Sequence, residues 1–370
     1  MKLFFTILFC LCFVFGASGA GASFQSDTIR VALLKGAETV RLDGTGVLAI
    51  ADGVDPLRLT LPVQARRVRD GVSVDGRTVR KLVFSAPAVL LVNGKGYRGT
   101  IEVTPSDKGL LVVNELPLDD YLIGLINCEI SSQWPMEAIK AQAVIARSYA
   151  VYQRESRGNA LYHLESSVLD QVYAGCDIED SRAARGVQET AGEVLTYNGK
   201  VIQAFYHSNC GGHTEAAENV WGSPIPYLKG VEDKYCQSAP SAKWEQTITL
   251  GRIESQLRNS GYKVTGLKDI RTGRRNASGR LTELVLVTAN GCQTLSAPKF
   301  RMAVGSTVIK STNFEVRIAG DTAVFTGVGY GHGVGLCQWG AKQRASDGFD
   351  YREILAYYYP GTKLVKLNGD

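Results

Sequence analysis

Two glutamates stand eight positions apart in "CEISSQWPMEAIKAQAVIARSYA", residues 128–150, on either side of a Trp-Pro pair. A carboxyl group can act as acid in one step and base in the next when its surroundings lift its pKa towards neutrality. Glu129 sits where that lift is expected. Leu118, Tyr121, Leu122, Leu125 and Ile126 recur at helical spacing, and the next position on their face is 129. A carboxylate there occupies a place that the pattern reserves for an apolar side chain, and desolvation disfavours its charged form. The alternative is a glutamate at a frayed helix end that reaches solvent or pairs with a base such as Arg147. Glu137 follows Trp134 and Pro135 and falls in the first turn of a second predicted helix. The helix dipole accounts for it, at up to ~1 kcal/mol. Glu137 is read as structural.

The elements around these residues are β-rich before and mixed after. From about Asp27 to Val113, short runs such as "TIRVALL" and "LRLTLPV" end in Gly, Asn, Asp or Pro, which predicts an all-β region. Helices are then expected over 118–129, from Trp134 through "EAIKAQAVIARSYAVYQ", and near "EDSRAARGVQETAG". A hairpin is expected around Asn198-Gly199. Residues 244–327 return to strands, with helices near "GRIESQLRNSG" and "APKFRMAVG", and "REILAYYYPGTKL" reads as a short helix and a turn in which Tyr357 to Tyr359 pack. The expected fold class is α+β, with β-rich domains around a helical centre. The expected domains are a signal segment 1–22, a β-rich domain 23–111 and a catalytic region 112–364.

Composition narrows the class. The chain has 370 residues, 45% hydrophobic and 21% charged, as in ordinary globular proteins. "MKLFFTILFCLCFVFGASGAGAS" has the layout of a cleavable secretory signal, and no later stretch approaches the ~18 apolar residues of a membrane span. Removing residues 1–22 takes away one Lys and no acid, so the formal charge falls from +5 to +4. That mild balance suits an anionic surface such as a cell wall and does not argue for nucleic acid. The expected location is secreted, in the periplasmic or cell-wall space, and not membrane-spanning. Cys10 and Cys12 belong to the signal. Cys128, Cys176, Cys210, Cys236, Cys292 and Cys337 remain, enough for up to three disulfides in an oxidising compartment.

Several segments together carry a resemblance. "VVNELPLDDYLIGLINCEISSQWPMEAIKAQAVIARSYA", "DQVYAG", "FYHSNCGGHTEAAENVWG" with "PYLKGVED", and "GVGYGHGVGLCQWGAKQ" with "YYYPGTKL" occur in that order over residues 112–364. The chain resembles the SpoIID/LytB family of bacterial cell-wall proteins. The resemblance implies lytic transglycosylase activity on the MurNAc–GlcNAc bond of peptidoglycan strands stripped of their stem peptides. It also implies that the catalytic acid is the glutamate just ahead of the Trp-Pro helix, which is Glu129, in agreement with the periodicity. Glu129 would protonate the bridging oxygen and then take the proton of the muramoyl C6 hydroxyl as it closes onto C1. The product is a 1,6-anhydro end and no water is consumed, so the two-carboxylate scheme of ordinary glycosidases is not required.

Within the matching segments, Trp134, Gln142, Arg147, His207, Ser208, Trp221, His332 and Gln338 are the candidate substrate-binding residues. Aromatic rings suit sugar stacking, and Trp134 and Trp221 are the candidates for it. The glycines around His332 let a backbone approach a ligand or form a tight turn. They match neither GxxxxGK[ST] nor GxGxxG, so a nucleotide site is not expected. "HSNCGGH" with Cys236 offers His207, Cys210, His213 and Cys236 as a tetrahedral zinc set. A Cys210–Cys236 disulfide competes with it and fits an exported protein better. Some clostridial members of the family carry a zinc-binding His/Cys cluster ahead of "QxY"; "YHLESSVLDQVY" keeps His163 but no cysteine, so neither that site nor another cofactor is expected.

Two other classes stay open. The family's LytB-type members are associated with enhancing an N-acetylmuramoyl-L-alanine amidase, which would make the chain a non-catalytic wall-binding partner of an amidase. A cysteine hydrolase built from Cys337 and His332 is the third.

Overall fold

In a computed structural model the protein is described over residues 28–367, apart from 53–55, 58, 169 and 241; the expected signal segment lies outside the described residues. The α+β class holds, with several sheets and intervening helices.

The β-rich region is built from two sheets. One has the spatial order Leu164–Glu165, Thr28–Ala37, Gly109–Pro117, Thr100–Ser106, Leu82–Ser85, Leu48–Ala51, Pro56–Leu57. The other runs Lys95–Tyr97, Leu90–Val92, Thr39–Gly44, Val63–Val68, Gly71–Val74, Arg77–Val79. Alternation places Val31, Leu82, Phe84, Ile101 and Val103 of the first sheet and Val40, Leu42, Ala65 and Val72 of the second in a shared core. That core continues without a break into the helices as far as Val194. Strands before residue 111 and helices after it are therefore held by one apolar interior. Gly109–Pro117 pairs with Thr28–Ala37 from Pro117↔Thr28 onwards and runs straight into the first helix, so the sheet aims it.

Among the described residues the α-helices are α1 Leu118–Glu129, α2 Met136–Arg157, α3 Ser181–Glu189, α4 Ala217–Trp221, α5 Leu250–Asn259, α6 Ala297–Val304, α7 Gln338–Ser346 and α8 Tyr351–Tyr358. Asp119 and Asp120 sit favourably in the first turn of α1. Tyr121, Leu122, Leu125 and Ile126 are fully buried along it, and Ile130 is already extended, so α1 stops at Glu129. The α2 helix is buried almost all round. Its small residues Ala141, Ala143, Ala146 and Ala150 let α1, α3, α7 and α8 pack closely against it. Asp180 caps α3 by accepting from the Arg182 and Ala183 N–H groups at 2.9 and 2.8 Å. The same carboxylate accepts from Asn127 at 2.7 Å and from the Ser132 hydroxyl, which fixes the turn that follows Glu129.

The expected hairpin forms between Glu193–Tyr197 and Lys200–Val201, with Asn198 and Gly199 both at positive φ. After "PGT", where only a turn was expected, Lys363–Lys366 adds a strand to it. Residues 243–328 hold two further three-stranded sheets, with α5 and α6, around a separate core from Trp244 to Phe325.

Arg147 corrects an expectation. The sequence suggests a substrate-binding residue or a partner for Glu129; in the structure it is 1% exposed inside the helical bundle. Its guanidinium pairs with Asp119 at 3.0 Å and donates to the Val187 and Glu193 carbonyls at 3.1 and 3.2 Å. A buried arginine costs too much desolvation to stand unpaired, and α1, α3 and the 193–197 strand supply its acceptors. Arg147 is a tie between elements. Replacing it with methionine is expected to lower unfolding stability by roughly 2–4 kcal/mol, read from urea denaturation. A change under about 0.5 kcal/mol would remove that structural role.

Candidate active site

Glu129 opens onto a cleft of about 900 Å³ that also receives His207, Ser208, Trp221, His332 and Gln338. The cleft lies between the helical core and the 243–328 unit, which contributes Tyr262, Lys299, Arg301 and Met302 to the far wall. Six of the nine residues singled out in the sequence meet there.

The local geometry comes from two short segments brought side by side. Tyr206–His207 pairs in parallel with Leu336–Cys337, and this register sets His207 and Gln338 on the same floor. Gly335 makes the pairing possible: its φ is +74°, and a Cβ there would lie 1.9 Å from the Phe205 carbonyl oxygen.

Glu129 is half-buried at the last residue of α1. Desolvation pushes its pKa up, while hydrogen bonds from the Val172 N–H (3.2 Å), the Tyr206 hydroxyl and the Gln338 amide pull the other way; the upward push wins. The donors are themselves held. Tyr121 donates to Gln171 Oε1 at 3.0 Å, and Gln171 Nε2 donates to the Tyr206 oxygen at 3.2 Å, leaving the Tyr206 proton for Glu129. Gln338 Nε2 also donates to Gln142 Oε1 at 3.3 Å. Gln142 thus stands behind the cleft, positioning Gln338.

One wall is aromatic. Trp221, 46% exposed, stacks on Phe205 at 4.3 Å and 29°, and its ring centroid lies 5.3 Å from that of His332. His332 and His207 are 5.6 Å apart. Burial and the cations Arg301 and Arg280 drop the His332 pKa to about 3, and burial holds His207 well below the usual range, so both imidazoles are neutral. His332 Nδ1 accepts from the Val334 N–H at 3.0 Å; His207 Nδ1 lies 3.1 Å from the Val334 carbonyl, which fixes its proton there and leaves Nε2 as an unpartnered acceptor.

Three expectations need correction. Trp134 is not in the cleft; it packs on Trp339 at 5.1 Å, with Lys342 over both rings. The zinc set of His207, Cys210, His213 and Cys236 is not brought together, because His207 turns to Val334 and His213 to its neighbour Thr214. Cys210 gathers with Asp233, Cys236 and Cys337 instead. The pairing of Cys337 with His332 as nucleophile and base also fails, since the Cys337 sulfur is buried in that cluster and receives the Cys210 and Gly340 N–H groups. Glu137 is structural, accepting from Lys140 and from the Tyr351 N–H.

Sequence reasoning missed Tyr206, Gln171 and the 243–328 wall. Tyr206 and Gln171 lay inside quoted motifs, where a buried polar side chain beside an apolar neighbour was the signal. No periodicity connects residues 299–302 with Glu129.

A family model described as stage II sporulation protein matches residues 106–197, and one described as a domain of unknown function matches residues 237–335. The chain is 35% identical over 288 residues to an uncharacterised protein of Brachyspira hyodysenteriae, covering 78% of this chain and 77% of the relative. It is 32% identical over 278 residues to the stage II sporulation protein D of Bacillus subtilis, covering 69% of this chain and 76% of the relative. It is also 32% identical to the amidase enhancer of the same organism, over 76% of this chain but 46% of that longer relative.

The electrostatics make a direct prediction. Carboxyl carbon NMR is expected to find Glu129 titrating above an ordinary glutamate. In Tyr206→Phe the midpoint should rise further, because a hydrogen bond that favours the charged form is gone. A Glu129 midpoint at or below the ordinary value would overturn this account.

Proposed function

The chain belongs to the stage II sporulation protein D family, and from that premise we propose that it is an exported lytic transglycosylase that cuts the glycan strands of peptidoglycan. The observation that carries the reading is a half-buried carboxyl with a raised pKa, held by three donors, in a cleft with an aromatic wall.

The protonated Glu129 gives its proton to the oxygen bridging MurNAc and GlcNAc as the bond to muramoyl C1 breaks and C1 takes on oxocarbenium character. The departing GlcNAc leaves with that proton as a hydroxyl. The charged Glu129 now has the Val172, Tyr206 and Gln338 donors, which favour its anionic form. It takes the proton of the C6 hydroxyl as that oxygen closes onto C1, which restores the acid. No second carboxylate has to act. Asp170, also in the cleft, is occupied by the Tyr149 hydroxyl and the Glu165 N–H.

The sugar faces are expected on Trp221, beside the neutral His332 ring. Muramoyl units freed of their peptides expose lactyl carboxylates, and Lys299 and Arg301 on the far wall supply cations for them. This supports peptide-stripped strands as substrate. No described helix is long and apolar enough to cross a membrane.

A second reading rests on the relative named amidase enhancer: a wall-binding partner that accelerates a cell-wall amidase without cutting glycan itself. One experiment separates the two. The purified protein and its Glu129→Gln variant are incubated with peptide-free glycan strands, and the products are examined by mass spectrometry. Anhydro-muramoyl ends from the wild type, reduced about 10²–10⁴-fold in the variant, are expected. Ends carrying an added water would replace the transglycosylase with a hydrolase. No cutting by either, together with a faster added amidase in the presence of either, would leave the enhancer reading.

A further inference from the structure

Behind the cleft floor, three cysteines from three segments converge on one aspartate. Cys210 follows the Tyr206–His207 strand, Asp233 and Cys236 lie on the loop after α4, and Cys337 caps the N-terminus of α7. One donor atom from each lies within 4.8 Å of all the others, and all four residues are buried. The Cys210 and Cys236 sulfurs are 3.4 Å apart, and Asp233 Oδ2 is 3.2 Å from the Cys210 sulfur. We propose that Cys210, Cys236, Cys337 and Asp233 bind a zinc ion in a closed structural site that fastens the floor of the cleft.

The donor set fits that ion. Thiolates and a carboxylate are zinc ligands, and tetrahedral angles at a Zn–S distance of about 2.3 Å put neighbouring sulfurs about 3.8 Å apart. The 3.4 Å between the Cys210 and Cys236 sulfurs is close to this separation, and the whole set stays within 4.8 Å. A disulfide needs about 2.05 Å between sulfurs and engages only two of the three cysteines. It would leave the third thiol and a buried carboxylate facing it with no common task.

Backbone N–H groups also face two of the three sulfurs. The Cys210 and Gly340 N–H groups point at the Cys337 sulfur at 3.2 and 3.4 Å, and those of Gly211 and Gly212 face Cys236. The Tyr358 hydroxyl donates to Asp233 Oδ2 at 3.0 Å, the kind of outer contact that orients a ligand. Arg280, 1% exposed, reaches the Cys210 carbonyl at 2.7 Å while its Nε and Nη1 have no hydrogen-bond partner. Three thiolates and a carboxylate around a dication leave a net charge of about −2, which attracts this buried cation. Gly340 supplies the room: a Cβ there would lie 2.1 Å from the Tyr358 oxygen and 2.3 Å from Asp233 Oδ2.

Binding displaces the thiol protons to solvent and leaves the metal with protein ligands alone, so its task is mechanical. Cys337 is joined to Gln338 and paired with His207, and Cys210 lies three residues beyond His207. One ion thus ties together both segments that line the floor.

Metal analysis of the full chain, purified without added chelator, tests this. One zinc per chain is expected, with Cys210, Cys236 and Cys337 resisting alkylation in the native protein while the exposed Cys292 reacts. Cobalt-exchanged protein should show thiolate charge-transfer bands and intense tetrahedral d–d bands, lost in Cys236→Ser and kept in Cys292→Ser. If Cys236→Ser fails to fold, the wild-type metal content and cobalt spectrum decide the matter alone. Substoichiometric zinc after reconstitution under reducing conditions, or a Cys210–Cys236 disulfide in peptide maps of native protein, would overturn the proposal.

Discussion

The placement of one carboxyl group between burial and donation is the constraint the rest of the structure serves. Glu129 ends α1, close to the negative pole of that helix and against apolar side chains, and both conditions disfavour its charged form. Left there alone, its charged form would have only the penalty of burial and no compensating donor. The Val172 N–H, the Tyr206 hydroxyl and the Gln338 amide come from three other segments and return stability to the anion. A group that both releases and regains a proton needs this balance.

Meeting it determines much of the surrounding architecture. The strand Gly109–Pro117 sets the start of α1, and Asp180, by holding Asn127 and Ser132, sets its end. Arg147 locks α1 to α2 and α3 from within, so the position of Glu129 is fixed relative to the bundle. Two of the donors, Tyr206 and Gln338, depend on the parallel pairing of 206–207 with 336–337, which needs glycine at 335. Tyr206 is further held through Gln171 by Tyr121, itself on α1. The chain of bonds that tunes the acid therefore starts and ends on one helix.

What was legible in the sequence was local. The period of Leu118, Tyr121, Leu122 and Leu125 gave the helix and marked 129 as the polar residue on an apolar face. Gly and Asn gave the 198–199 turn, and Pro135 gave the start of α2. Arg147 was misassigned because an arginine on an Ala-rich helix looks the same in sequence whether it faces a ligand or an acceptor-lined interior. Only the fold supplies Asp119 and the carbonyls that claim it. The strand 363–366 was missed because its partner lies far away in sequence, at 193–196. His207 and His213, three residues either side of Cys210, looked like ligands by spacing, but extended and turning backbone sends their rings elsewhere. Asp233 and Cys337 could join Cys210 and Cys236 only through tertiary packing.

The same packing decides what the cleft can sense. Two histidines line it, and histidine is ordinarily the side chain that titrates near neutrality. Burial and neighbouring arginines hold both well below their usual range, so they remain neutral acceptors and donors where an unperturbed imidazole would gain charge. Burial also raises the Cys128 thiol, keeping it neutral beside Glu129. The response that remains for the acid is its own: Glu129 is active as a donor below its raised pKa and loses its proton as pH climbs through it. Silencing the imidazoles makes the aromatic wall a constant surface for a ligand while the acid alone changes state.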